Sequence, residues 1–99
     1  MKIDKQKMQK NAGKAASLLK SLASMPRLMV LCQLAEGEHT AGELWNKSSL
    51  SQSALSQHLA KLRNDKLVKT RKESQTVYYT LANKDVIEII KTLHKIYCE

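Results

Sequence analysis

Apolar residues recur along most of this chain at the spacing of a helix, and over one short interval at the spacing of a strand. In residues 4–23, Ala12, Ala15, Ala16, Leu18, Leu19 and Leu22 collect on one side and lysines on the other, which predicts an amphipathic helix. Pro26 opens a second segment over 27–35, apolar at Leu28, Leu31 and Leu34, and Gly37 is placed to end it. Thr40 followed by Glu43 has the form of a capping box, so a short third helix is expected to carry Leu44 and Trp45 toward the core. Ser51 is a good N-cap for a fourth helix, in which Leu55, Leu59 and Leu62 recur at i, i+4 and i+7.

Residues 68–72 and 76–81 are rich in Val, Thr and Tyr and are separated by Glu73, Ser74 and Gln75, the pattern of a hairpin with Val77, Tyr79 and Leu81 on its buried face. Over 84–97, Val86, Ile89, Ile90, Leu93, Ile96 and Tyr97 form a stripe too broad for the solvent-facing terminal helix of a monomer, which points to pairing with a second subunit. The expected fold is mainly α with a small β-hairpin (α+β), a winged helix-turn-helix with four helices, two strands and a fifth helix in that order. It forms one domain over 1–99, with the helix-turn-helix at about 40–64, the wing at about 68–81 and flanking helices at about 4–23 and 84–98, which the resemblance described below makes the dimerisation helices.

The face of the fourth helix opposite its leucines carries the first functional signal. With about 100° per residue, Ser53, Gln57 and Ala60 lie roughly opposite Leu55, with Ser56 and Lys61 on the shoulders. A major groove admits such side chains: glutamine pairs with adenine edges, serine with either base type, lysine with guanine or phosphate. Gln52, Ser53, Ser56 and Gln57 are therefore the expected base-reading residues, and Lys61, Arg63, Arg71 and Lys72 the expected phosphate contacts.

Charge agrees with this reading. The chain of 99 residues has a formal charge of +8, which implies an anionic partner, and the basic residues fall in two blocks. Residues 2–20 hold six lysines against Asp4, which a solvated helix face explains as well as phosphate binding does. Residues 61–72 hold six Lys or Arg against Asp65 and coincide with the fourth helix and hairpin, which favours phosphate contact over mere solubility. A content of 42% hydrophobic and 26% charged residues is that of a globular chain. No apolar run approaches the roughly 20 residues of a membrane span and no secretory signal is visible, so no membrane role and a cytoplasmic location are expected.

Three segments resemble the ArsR family of small dimeric bacterial regulators, in particular its HlyU-like branch, which is similar to the sulfide-responsive BigR and SqrR regulators. They are Gly42-Glu43-Leu44, the run from Leu50 through Gln52, Gln57 and His58 to Leu59, and the run from Thr70 through Arg71, Gln75 and Tyr79 to Leu81. The resemblance covers nearly the whole chain. It implies a homodimer held by the first and last helices, each fourth helix in a major groove of a pseudo-palindromic DNA operator, and the wing beside the backbone. Two positions depart from the family pattern. Met25 stands where a proline is usual, and Lys66 where the fourth helix commonly ends in glycine, so Lys66 either takes a left-handed conformation or shifts the helix end.

The metal sites of the family are missing their ligands. Glu43-Leu44-Trp45-Asn46 holds no thiolate, and Asp85-Val86-Ile87 lacks the first imidazole of the alternative site on the last helix. His39, His58 and His94 have no partners at ligand spacing and read as structural or surface histidines, so neither metal nor cofactor is expected. By composition, Cys32 and Cys98 read as one semi-buried and one incidental terminal cysteine of a reducing compartment. The resemblance implies more, because a cysteine on the second helix and one near the end of the last helix form the sensing pair of the sulfide-responsive relatives. A reactive-sulfur or oxidant effector linking Cys32 to Cys98 would then release or alter operator binding. The alternatives are a regulator without thiol sensing, such as an anti-silencer, and a winged-helix module docking an acidic protein. An enzyme is not expected, since there is no cluster of nucleophile, base and orienting group and only three glycines for loops.

Overall fold

Side-chain caps set where each helix begins. A computed structural model describes residues 1–99, and its elements in order are α1 (Lys5–Leu22), α2 (Met25–Ala35), β1 (His39–Thr40), α3 (Ala41–Asn46), α4 (Gln52–Asn64), β2 (Val68–Glu73), β3 (Thr76–Leu81) and α5 (Lys84–Cys98). Asp4, Ser24, Thr40, Ser51 and Asn83 each accept a backbone N–H of the first turn, which would otherwise be orphaned. At α3 the exchange is reciprocal: Glu43 N–H donates to Thr40 Oγ1 at 3.1 Å and Thr40 N–H to Glu43 Oε1 at 2.8 Å. α2 starts at Met25, ahead of the expected residue 27, because Ser24 and not Pro26 is its cap. Pro26 then lies in the first turn, where its missing N–H forfeits nothing.

The three strands form an antiparallel sheet in the order β1-β3-β2. β3 pairs with β2 from Val68 opposite Leu81 to Glu73 opposite Thr76, and with β1 through His39 opposite Tyr79 and Thr40 opposite Tyr78. Only Ser74 and Gln75 connect the hairpin, and Ser74 takes the left-handed φ of 55° that so tight a turn needs at its first position. β1 was not expected: with two residues it has no period to read.

Leu31, Leu44, Leu55, Leu62 and Ile90 are fully buried, so α2, α3, α4 and α5 all contribute to one core, which Leu67, Val68 and Leu81 close from the sheet side. Two expectations for core residues are corrected. Trp45 is 41% exposed, with its indole N–H donating to the Leu50 carbonyl at 3.0 Å, so it staples the turn between α3 and α4 instead of entering the core. Val77 is exposed because it sits toward the hairpin tip, opposite Lys72 and beyond the reach of the helices, while Tyr79 is half-buried and Leu81 buried.

α4 ends in a cap that leucines on either side secure. Leu67 N–H donates to the Leu62 carbonyl at 2.9 Å and Lys66 N–H to the Arg63 carbonyl at 3.0 Å, the paired bonds of a Schellman motif. Lys66 therefore takes the left-handed conformation, with φ 63°, and the helix end is not shifted. Left-handed backbone costs a residue with a Cβ roughly 1–2 kcal/mol, offset in part by the greater unfolded-state freedom of glycine. Lys66→Gly is expected to raise the unfolding free energy by about 0.5–1 kcal/mol, read as a higher urea midpoint at unchanged slope. A lower midpoint would mean that the lysine side chain stabilises this corner.

No single helix is long and apolar enough to cross a membrane. Apolar surface is nevertheless left open on the first and last helices: Met8 and Leu19 of α1 and Ile96 and Tyr97 of α5 are all exposed in the single chain.

Candidate nucleic-acid interface and thiol pair

α4 is gripped on one side and free on the other. Leu55, Leu59 and Leu62 are buried, which turns Gln52, Ser53, Ser56, Gln57, Lys61 and Arg63 outward, all of them exposed. None of the first four spends its side chain on a hydrogen bond within the chain, so their amide and hydroxyl groups remain available. The sequence thus placed six of its eight expected contacts on one outward surface, and the remaining two, Arg71 and Lys72, lie exposed on β2.

The cations of this surface differ in how free they are. Lys61 Nζ lies 3.3 Å from Asp65 Oδ2 across one helical turn. Asp65 also accepts the Ser21 hydroxyl, and that bond, with Lys61 and Arg27 adding to it, holds its carboxyl below the usual range. Asp65 thereby ties the end of α4 to α1, a link reinforced by Arg27, whose Nε donates to the Ser21 carbonyl at 2.7 Å. Arg63 and Lys72 form no salt bridge.

Arg71 is the most constrained. Its Nε and Nη2 donate to Glu38 Oε2 and Oε1, both at 2.7 Å, and its Nη1 donates to Glu73 Oε2 at 2.8 Å. The guanidinium carbon lies 4.3 Å from the centroid of the Tyr78 ring. Because Tyr78 is paired with both Arg71 and Thr40, the arginine reaches across all three strands to Glu38 at the mouth of β1. Hydrogen bonding to Arg71 lowers the Glu38 carboxyl below its ordinary range. Sequence reasoning missed Glu38: it stands 33 positions from Arg71, and the two meet only because the unexpected β1 adds itself to the hairpin.

Cys32 and Cys98 are free and exposed. They belong to α2 and α5, which pack together beside a cavity of about 490 Å³ lined by Met29, Cys32, Gln33, Ile90, Lys91 and His94. Partial burial, and secondarily the charge of Cys98, push the Cys32 thiol up from its ordinary value, so its thiolate is scarce at neutral pH. The histidines have no ligand cluster around them. His39 is buried, with Nδ1 2.8 Å from the Gly37 carbonyl and Nε2 3.3 Å from Lys47 Nζ. A carbonyl only accepts and an ammonium only donates, so these contacts suit the tautomer that donates from Nδ1, and the ring links β1 to Lys47 at the C-cap of α3.

Comparison with known proteins matches residues 26–70 to the family described as bacterial regulatory protein, arsR family. The transcriptional activator HlyU of Vibrio cholerae is 54% identical over 94 residues, covering 95% of this chain and 87% of that protein. The structure of reduced HlyU from the same organism superposes with a TM-score of 0.89 over 95% of this chain and 99% of that one. The repressor BigR from Xylella fastidiosa, at 35% identity, superposes with a TM-score of 0.88 over 98% of this chain and 99% of its own.

Proposed function

Because this chain belongs to the arsR family of bacterial regulatory proteins, it is a helix-turn-helix transcriptional regulator and not an enzyme, and we propose that it binds a pseudo-palindromic operator as a homodimer whose affinity a pair of thiols adjusts. The observation that carries this reading is α4: three buried leucines orient it, and its opposite face offers unspent amides and hydroxyls. Gln52, Ser53, Ser56 and Gln57 read bases, while Lys61, Arg63, Arg71 and Lys72 hold phosphates. The open apolar residues of α1 and α5 are the surface that a second copy covers, which also enlarges the small core of each chain.

The switch uses Cys32 and Cys98. A cysteine thiolate takes the outer sulfur of an organic persulfide and releases an organic thiolate. The other cysteine, having lost its proton to water, attacks the Sγ of the persulfidated cysteine, so that a disulfide forms as the Sγ–S bond breaks and hydrosulfide leaves; two thiols are oxidised and the transferred sulfur is reduced. A direct disulfide needs Cα atoms within about 7 Å and a fixed geometry, so the link would lock the position of α5 on α2 and through it alter the spacing of the two α4 helices. Those helices must lie about 34 Å apart to enter successive grooves, so operator affinity falls.

Treatment with an organic persulfide followed by peptide mass spectrometry is expected to show a Cys32–Cys98 link and, in parallel, weaker retention of DNA. Because burial raises the Cys32 pKa, the link should form faster as pH rises from neutral toward the ordinary thiol range. Absence of the link, or a link that leaves DNA retention unchanged, removes the switch while leaving DNA binding in place.

A further inference from the structure

We propose, resting on the DNA-binding reading above, that Glu38 is a specificity-determining residue: it holds Arg71 against the sheet and withholds the wing's arginine from phosphate until α4 has engaged its bases. An arginine with no partner would grip any duplex, since phosphate contact carries no sequence information. Here the fork is already satisfied. Three of its five N–H donors point at carboxylates, two of them at Glu38 in the bidentate geometry that phosphate would otherwise take. Counting Arg71 as +1 and Glu38 and Glu73 as −1 each, the cluster carries −1, so the positive charge of Arg71 is cancelled and the wing's attraction for phosphate is left to Lys69 and Lys72 of the same strand.

The two carboxylates are not equivalent. Glu73 is on the same strand as Arg71 and its side chain is 66% exposed, whereas Glu38 is 31% exposed and comes from the turn that leads into β1. Stacking on Tyr78 fixes the plane of the guanidinium, so Glu38 determines where the fork points. The grip is nonetheless releasable, because both partners are at the surface, where water and salt compete with an ion pair. Base contacts made by α4 would hold the wing beside the backbone long enough for a phosphate to replace a carboxylate; on random DNA no such contacts exist and the arginine stays with Glu38. Discrimination thus comes partly from an element outside the recognition helix.

The test compares wild type, Glu38→Gln, Arg71→Gln and the double variant, all as full chains, on two duplexes of equal length: a genomic fragment selected by the wild-type protein and a random sequence. Glutamine keeps the size and one hydrogen bond of Glu38 but removes its charge. Glu38→Gln is expected to tighten random DNA about five- to tenfold and the selected fragment no more than about twofold. The salt dependence on random DNA should steepen by roughly one counterion, and the Arg71→Gln background should abolish both effects. Weaker binding to both duplexes, equal tightening of both, or an effect that survives in the Arg71→Gln background would each overturn the proposal. A wild-type protein that retains no DNA would overturn the DNA-binding reading itself, a failure visible before any variant is made.

Discussion

Replacing Leu62 with alanine is expected to lower the unfolding free energy by about 2–5 kcal/mol, the range for a buried leucine whose cavity only partly collapses. Leu62 has 0% exposure, is the innermost residue of the α4 stripe, and lends its carbonyl to the cap that turns the chain into β2. A small domain has only about 5–15 kcal/mol in total, so this one change removes a large share of it. Urea unfolding followed by circular dichroism should show a lower midpoint at unchanged slope. DNA binding should fall by the same factor on selected and random duplexes, because the loss lies in the population of folded chains. A cost below about 0.5 kcal/mol, the level of ordinary surface substitutions, would mean that α4 is not seated on the core as described.

Gln57→Ala is expected to do the reverse. The side chain is exposed, lies opposite the leucines and makes no hydrogen bond within the chain, so stability should change by less than about 0.5 kcal/mol. Loss of a bidentate contact to a base edge should weaken binding to the selected fragment by about 1–3 kcal/mol, roughly five- to 150-fold, with little change on random DNA. Titrating both duplexes with the variant at fixed salt gives the comparison. Equal losses on the two would place Gln57 among the phosphate contacts. Together the two substitutions separate the faces of one helix, one acting through folding and the other through recognition.

Period and cap chemistry made most of this architecture readable in advance. Leu55, Leu59 and Leu62 repeat at helical spacing, and their burial alone turns the polar residues between them outward, so both the helix and its exposed polar side follow from one pattern. Thr40 with Glu43, and Ser51, are local signals because capping bonds form within three residues. What escaped the sequence depended on distant parts of the chain. Nothing local distinguishes Leu44, which enters the core, from its neighbour Trp45, which instead bonds the Leu50 carbonyl. Val77 continues the strand alternation correctly, but the helices stop short of it. His39 and Thr40 become a strand only because Tyr78 and Tyr79 offer an edge, and that pairing alone brings Glu38 to Arg71.

The same distinction applies to the site. Residue type and exposure on α4 could be inferred from spacing, whereas the degree to which each cation is already neutralised could not. Lys61 is shared with Asp65, Arg71 is bound by two carboxylates, and Arg63 and Lys72 are unpaired. The formal charge of +8 therefore overstates what the wing offers a phosphate backbone.

Hydroxyl-radical footprinting of the reduced protein on a genomic fragment it has selected probes the paired-helix arrangement most directly. Two protected segments related by a two-fold axis, centred about 10 base pairs or a small multiple of that apart, are expected from two copies presenting α4 to successive major grooves. A single protected segment, or no protection even at low salt, would contradict it.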